Sequence, residues 1–151
     1  MDDGEAISLA DATCILRRAM LALAVGDVDA LELFTEDVVV DSPILRVWSR
    51  TELGYQLLDR AEALSNVEFD VAHVEMTGAD TAVATWSVAG DHTGGVLFND
   101  DVYFAPSGRR IHLSGTTRAL FRERRIAAVR TTHDNGDLFE QIRGGLSPDG
   151  R

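Results

Sequence analysis

The stretch Val129-Arg130-Thr131-Thr132-His133-Asp134 ends a β-branched run in a histidine and a carboxylate, and Asn135-Gly136 follows. On a strand, residues two apart share a face. Arg130, Thr132 and Asp134 therefore point one way, and Val129, Thr131 and His133 the other. Both faces are mixed, so periodicity does not decide which one would line a pocket. If the first set lines a pocket, Asp134 offers a carboxylate at its mouth with Arg130 deeper in, and the two could grip two parts of one ligand. The bland reading is equally physical. Asp-Asn-Gly is a turn sequence, and Asp134 or Asn135 could cap a short helix carrying Leu138, Phe139 and Ile142. At this point both readings stand.

Few other residues invite chemistry. His92 sits in the glycine-rich stretch Gly90-Asp91-His92-Thr93-Gly94-Gly95, where a bulky donor can stand at a pocket rim. His112 shares a polar strand face with Ser114, Thr116 and Arg118, which suits a solvated or dimer-facing surface. The four histidines are far apart with no HxH or HxxxH spacing, so no metal site is expected. GxSxG is absent, and Cys14 falls mid-helix among apolar residues, where packing is the natural role. All 14 basic residues are arginine, so a lysine Schiff base is excluded. Gly94-Gly95 leads into no helix and makes no phosphate loop. No cofactor is expected.

The 151 residues suit one domain, 1–151, with an ordered core over about 8–145. No apolar run approaches the roughly 20 residues of a membrane span. The acidic start MDDGEAISLAD lacks the features of a secretory signal, which points to a cytoplasmic protein. A formal charge of −11 argues against nucleic acid as the main partner. The charge is uneven: residues 1–107 hold 20 of the 25 acids and five of the 14 arginines. Arginines on late strands pairing with acidic neighbours, or facing water, account for that.

Three helical patterns come first. Ser8-Leu9-Ala10-Asp11 resembles a capping box, and Leu9, Ala12, Leu16, Ala19, Met20 and Leu23 recur at helical spacing up to Gly26. Asp27 can cap a second helix carrying Val28, Leu31 and Phe34. A third fits roughly 51–64 on Leu53, Leu57, Ala61 and Leu64. Val38-Val39-Val40 favours a strand between them. After Asn66 the period becomes two. Strands are expected at 67–73, 81–91, 96–104, 111–121 and 126–133, with a reversal at Arg122 to Arg125. Helices first and antiparallel strands second signal an α+β domain with helices packed on one face of a curved sheet, and a pocket remains at the open end where the helices do not fill it. Trp48, Tyr55, Trp86 and Phe121 are candidate apolar walls.

The residues also resemble a family. Ala24-Val25-Gly26-Asp27-Val28-Asp29-Ala30-Leu31, then Phe34 through Pro43, is similar to the helix-GD-helix-strand opening of SnoaL-like polyketide cyclases, within the nuclear-transport-factor-2-like superfamily. Gly90-Asp91-His92-Thr93-Gly94 resembles that family's G-x-H-x-G, and Pro106-Ser107-Gly108-Arg109-Arg110 its P-x-G-[KR] turn. Ile126 through Asp134 to Gln141-Ile142-Arg143-Gly144 resembles its ending. The resemblance covers about residues 10–145 and implies a cone-shaped α+β fold, a curved mixed sheet wrapped around three N-terminal helices with an internal pocket, together with a homodimer and Asp134 at the position of the family's acid/base aspartate. It implies cofactor-free, metal-free chemistry on a hydrophobic small molecule. Asp134 would remove a proton next to carbonyls, and the enolate would close a ring, with Arg130, His92 or Thr117 as donors.

The chain departs from the pattern in places. Arg130 stands where the family has tryptophan, and the segment between Gly94 and Pro106 is longer than usual. Arg118, Ala119 or Leu120 occupy the expected place of a histidine. Two alternatives remain in view. One is a limonene-type epoxide hydrolase, whose first Arg-x-Asp falls here on Ser87 and Ala89. The other is a non-catalytic ligand-binding or dimerisation module. Ketosteroid isomerase fits poorly, since Ser42-Pro43 replaces its Asp-Pro.

Overall fold

The computed structural model describes residues 6–42, 45–60, 64–94, 96–98, 102–104 and 108–133. Helix α1, Leu9–Val25, begins at Ser8, whose Oγ accepts the Asp11 N–H at 3.0 Å. It ends at Gly26, which adopts φ 75°, a left-handed conformation that glycine takes without a Cβ penalty. Ala12, Leu16, Ala19 and Met20 form its buried stripe. Cys14, expected to pack, is exposed, because it lies off that stripe.

The second helical pattern is a short 3-10 segment, Val28–Leu33, capped by Asp27. Phe34 does not belong to it. It opens strand β1, Phe34–Ser42, and pairs in the ladder with Ile126. Strand β2 is Leu45–Val47 and helix α2 is Arg50–Arg60. Ser49 and Glu52 cap α2 in reciprocal fashion: Ser49 Oγ accepts the Glu52 N–H at 3.1 Å, and Glu52 Oε1 accepts the Trp48 N–H at 2.7 Å. Leu53 and Leu57 are fully buried. Ala61 lies outside the described residues, and Leu64 begins the next strand instead of ending this helix.

The remaining strands are β3 (Leu64–Met76), β4 (Thr81–His92), β5 (Val96–Phe98), β6 (Val102–Phe104), β7 (Arg110–Arg122) and β8 (Arg125–His133). Strands β5 and β6 pair only with each other, so the single strand expected over 96–104 is a two-stranded ribbon. The other six form one mixed sheet in the order β2-β1-β8-β7-β4-β3, curled about the helices. Strand β8 runs parallel to β1 and antiparallel to β7.

Alternation along these strands assigns the faces. On β4, Ala82, Ala84, Trp86, Val88, Gly90 and His92 turn inward and are all buried. On β7 the inward set includes Ile111, Thr117, Ala119 and Phe121, while Arg110, His112, Ser114, Thr116 and Arg118 are exposed. The outer face is therefore largely polar, as the spacing of His112, Ser114 and Thr116 implied. The β7–β8 reversal is made by Glu123 and Arg124, with φ 55° and 65°.

Candidate functional site

Cross-strand register builds the inner face row by row. Val71, Trp86, Gly115 and His133 occupy one row across β3, β4, β7 and β8. Ala84, Thr117 and Thr131 occupy the adjacent one. The glycine in the first row is required by close approach. A Cβ on Gly115 would lie 2.5 Å from Trp86 Cζ2 and 2.6 Å from the Thr132 carbonyl oxygen. The indole therefore lies across β7 toward the next row. Its Nε1–H donates to Thr117 Oγ1 at 2.9 Å, and that oxygen is 2.8 Å from Thr131 Oγ1. Phe69 stacks on the other side, with ring centroids 6.2 Å apart and planes at 26°.

Among the described residues, the buried polar and charged side chains are His92, Thr117 and Thr131. All three lie on the inner face amid apolar side chains, where a polar group must be satisfied or functional. His92 is not part of a glycine bend. It ends β4, its N–H donates to the Arg109 carbonyl at 2.7 Å, and its side chain is fully buried. Burial holds its imidazole below the ordinary pKa of 6.5, so the neutral form is favoured. It sits six residues from Trp86, about 20 Å along the strand.

The other expected site residues are dispersed. Trp86, Thr117 and Phe121 are buried on the inner face, and the first two are in direct contact. Phe121 lies two inward positions below Thr117. Arg130 and Thr132 are exposed, because β8 turns Val129 and Thr131 inward. Arg130 meets Asp41 of the neighbouring strand at 3.5 Å on the outer face. Of the two sets that the sequence left open, the inward one is therefore that of Val129 and Thr131. Trp48 and Tyr55, expected as apolar walls, are 66% and 67% exposed, since α2 buries Leu53 and Leu57 on its opposite side. Asp134 lies outside the described residues and directly follows β8 in the chain.

Two residues of this constellation escape a reading of the sequence. Thr131 was visible only as a member of the Val129 face. Gly115 carries no local signal at all, because its role depends on the register that sets it against Trp86.

A cleft of about 540 Å³ elsewhere, bordered by Asp37, Arg50, Arg122 and Arg125, is an ion-paired seam. Arg122 binds Asp37, Arg50 binds Glu36 and the Phe34 carbonyl, and Arg125 donates to the Glu32 carbonyl. Thr35 and Arg122 together hold the Asp37 carboxyl below its usual range. No group of three or more histidine, cysteine or acidic side chains converges as a metal site among the described residues. No described helix is long and apolar enough to cross a membrane.

A mixed sheet of this order, curled on N-terminal helices, is the architecture of the nuclear-transport-factor-2-like superfamily. The model of the SnoaL-like domain matches residues 16–129, and the chain belongs to that family. Among solved structures, TsrD from Streptomyces laurentii is similar over 93% of this chain and 99% of its own, with 18% identity and a TM-score of 0.75. A candidate SnoaL-like polyketide cyclase from Jannaschia sp. CCS1 is similar over 89% of this chain and 91% of its own, at 16% identity and a TM-score of 0.70. An LEH-like epoxide hydrolase from M. tuberculosis covers 91% of this chain and 93% of its own, at 14% identity and a TM-score of 0.66. At these identities the likeness is one of fold. No protein with a curated description matches the chain.

Proposed function

We propose that the protein is a cofactor-independent acid/base enzyme of the polyketide-cyclase type, acting on a hydrophobic small molecule with Asp134 as the base. The observation that carries this reading is the inner face around Trp86. It is apolar, yet it holds a short chain of buried hydroxyl donors in the row beside the end of β8. Asp134 is the next residue along the chain. A carboxylate and neutral donors are what proton abstraction next to a carbonyl requires: one group takes the proton, and the others stabilise the enolate oxygen. Thr117, Trp86 and Phe121 belong to the proposed site as donor and walls. His92 lies on the same inner face about 20 Å further along β4, where a neutral imidazole could meet only a distant part of a long ligand. Arg130 and Thr132 stand outside it on the outer face, where the polar sheet surface suits a homodimer contact.

The exposed Arg130, paired with Asp41, favours a second reading. Turned outward, Arg130 brings no charge to the inner face, which suits a site that binds its ligand without turning it over. The same experiment separates the two. The protein and Asp134→Asn are assayed for turnover of aromatic polyketides, epoxides and steroids. Turnover of a polyketide that the variant loses supports the cyclase reading. Epoxide opening points to a hydrolase. Binding without turnover leaves a ligand carrier, and turnover that the variant retains removes Asp134 from the mechanism.

A further inference from the structure

Two guanidinium groups in the cleft beside the β7–β8 turn are fixed by main-chain oxygens. Arg50, Arg122 and Arg125 come from the first turn of α2, the end of β7 and the start of β8, and all three border this space of about 540 Å³. Asp37 answers Arg122, and the Thr35 hydroxyl donates to the same carboxylate at 2.9 Å. The other two arginines are held differently. Arg50 Nη1 donates to the Phe34 carbonyl at 3.1 Å, and Arg125 Nε donates to the Glu32 carbonyl at 3.0 Å. A neutral carbonyl orients a guanidinium and leaves its charge in place. Arg125 makes no other hydrogen bond or ion pair among the described residues, so most of its five donor hydrogens remain for a ligand. Arg50 also meets Glu36 at 3.4 Å, but that carboxylate side chain is 88% exposed. Such a water-exposed contact is weak and yields to a competing anion. Glu123 borders the cleft too, and pairs with none of the three arginines among the described residues. Two guanidinium forks are thus anchored on carbonyls two residues apart, over a concave surface. That arrangement matches the oxygens of a carboxylate or a phosphate.

We propose that this cleft is a second ligand site, which takes a small molecule through a doubly charged oxyanion, a phosphate monoester or a dicarboxylate, held between Arg50 and Arg125. Strand β8 runs about 26 Å from Arg125 to His133. The site therefore lies at the opposite end of that strand from the one that leads into Asp134, and it does not depend on the proposed reaction.

Titration calorimetry of the protein at fixed ionic strength, with inorganic phosphate and succinate as probes in a chloride background, tests this. At least one probe is expected to bind, and the tighter of the two names the source of the charge. Arg125→Gln should weaken that binding about tenfold, the size of one charge-assisted hydrogen bond. Glu36→Gln frees Arg50 from its competing carboxylate and should bind at least as tightly as the parent, up to about fivefold more. Arg118→Gln removes an equal charge from an exposed position on the outer face and should change nothing, which controls for the field of the whole protein. Failure of both probes to bind above the chloride background overturns the proposal. So does an Arg125→Gln loss matched by Arg118→Gln, or a Glu36→Gln variant that binds more weakly than the parent.

Discussion

The indole of Trp86 lies so close to the backbone of Gly115 that a Cβ there would stand 2.5 Å from Cζ2. The opposite side of that Cβ would meet the Thr132 carbonyl oxygen at 2.6 Å, which belongs to a paired strand and cannot retreat. Gly115→Ala is therefore expected to destabilise the fold by about 1–3 kcal/mol through overpacking. Urea unfolding measures it. A variant as stable as the parent would show that the indole has room to move aside.

Thr117 and Thr131 should differ in their cost to stability. Thr117→Val breaks both the indole bond and the hydroxyl–hydroxyl bond and is expected to cost about 1–3 kcal/mol. Thr131→Val breaks the second bond alone and should cost less. Equal losses for the two variants in denaturant titrations would show that the indole N–H gains nothing from Thr117.

The β7–β8 reversal carries two non-glycine residues in left-handed conformation, Glu123 and Arg124. Such a two-residue turn is better served by Asn-Gly, and each strained residue costs about 1–2 kcal/mol. Replacing the pair with Asn-Gly gives up the exposed ion pair of Arg124 with Asp11, at 2.9 Å, which is worth about 0–1 kcal/mol. The expected outcome is a net gain of about 1 kcal/mol in thermal or urea unfolding. A loss would mean that the Arg124 contact outweighs the strain.

His92 gives stability a pH dependence of definite sign. Its folded-state pKa is lowered by burial, so the unfolded chain binds the proton more readily. Its contribution is complete above the ordinary value of 6.5 and is lost as pH falls through that value toward the lower folded one. His92→Gln should flatten the unfolding free energy between pH 7.5 and 5.5 relative to the parent. An identical slope in both proteins would place the titration elsewhere.

Much of the fold was legible because local chemistry and tertiary packing agree. Ser8 and Gly26 bound α1 as their types require, and the period-two runs of β3 and β4 became strands. The misplacements fall where long-range pairing overrides a local pattern. Phe34 has helical spacing from Leu31 but is held in a ladder by Ile126, and Leu64 has helical spacing from Leu57 but pairs with His92. The site was only partly legible for the same reason. Trp86 and Thr117 are 31 residues apart and meet through the β4–β7 register, which no spacing rule contains. The inward direction of Thr131 rather than Thr132 depends on which side of β8 the helices cover. Asp134 remains a proposal founded on its place after β8.

Solvent deuterium exchange into a bound aromatic β-ketoester tests the proposed base most directly, because it reads proton abstraction whether or not a ring closes. The protein is expected to accelerate exchange at the carbon between the carbonyls above the buffer rate, and Asp134→Asn to reduce that acceleration about 10²- to 10⁴-fold. Equal acceleration by the parent and the variant would contradict the assignment of Asp134 as the base.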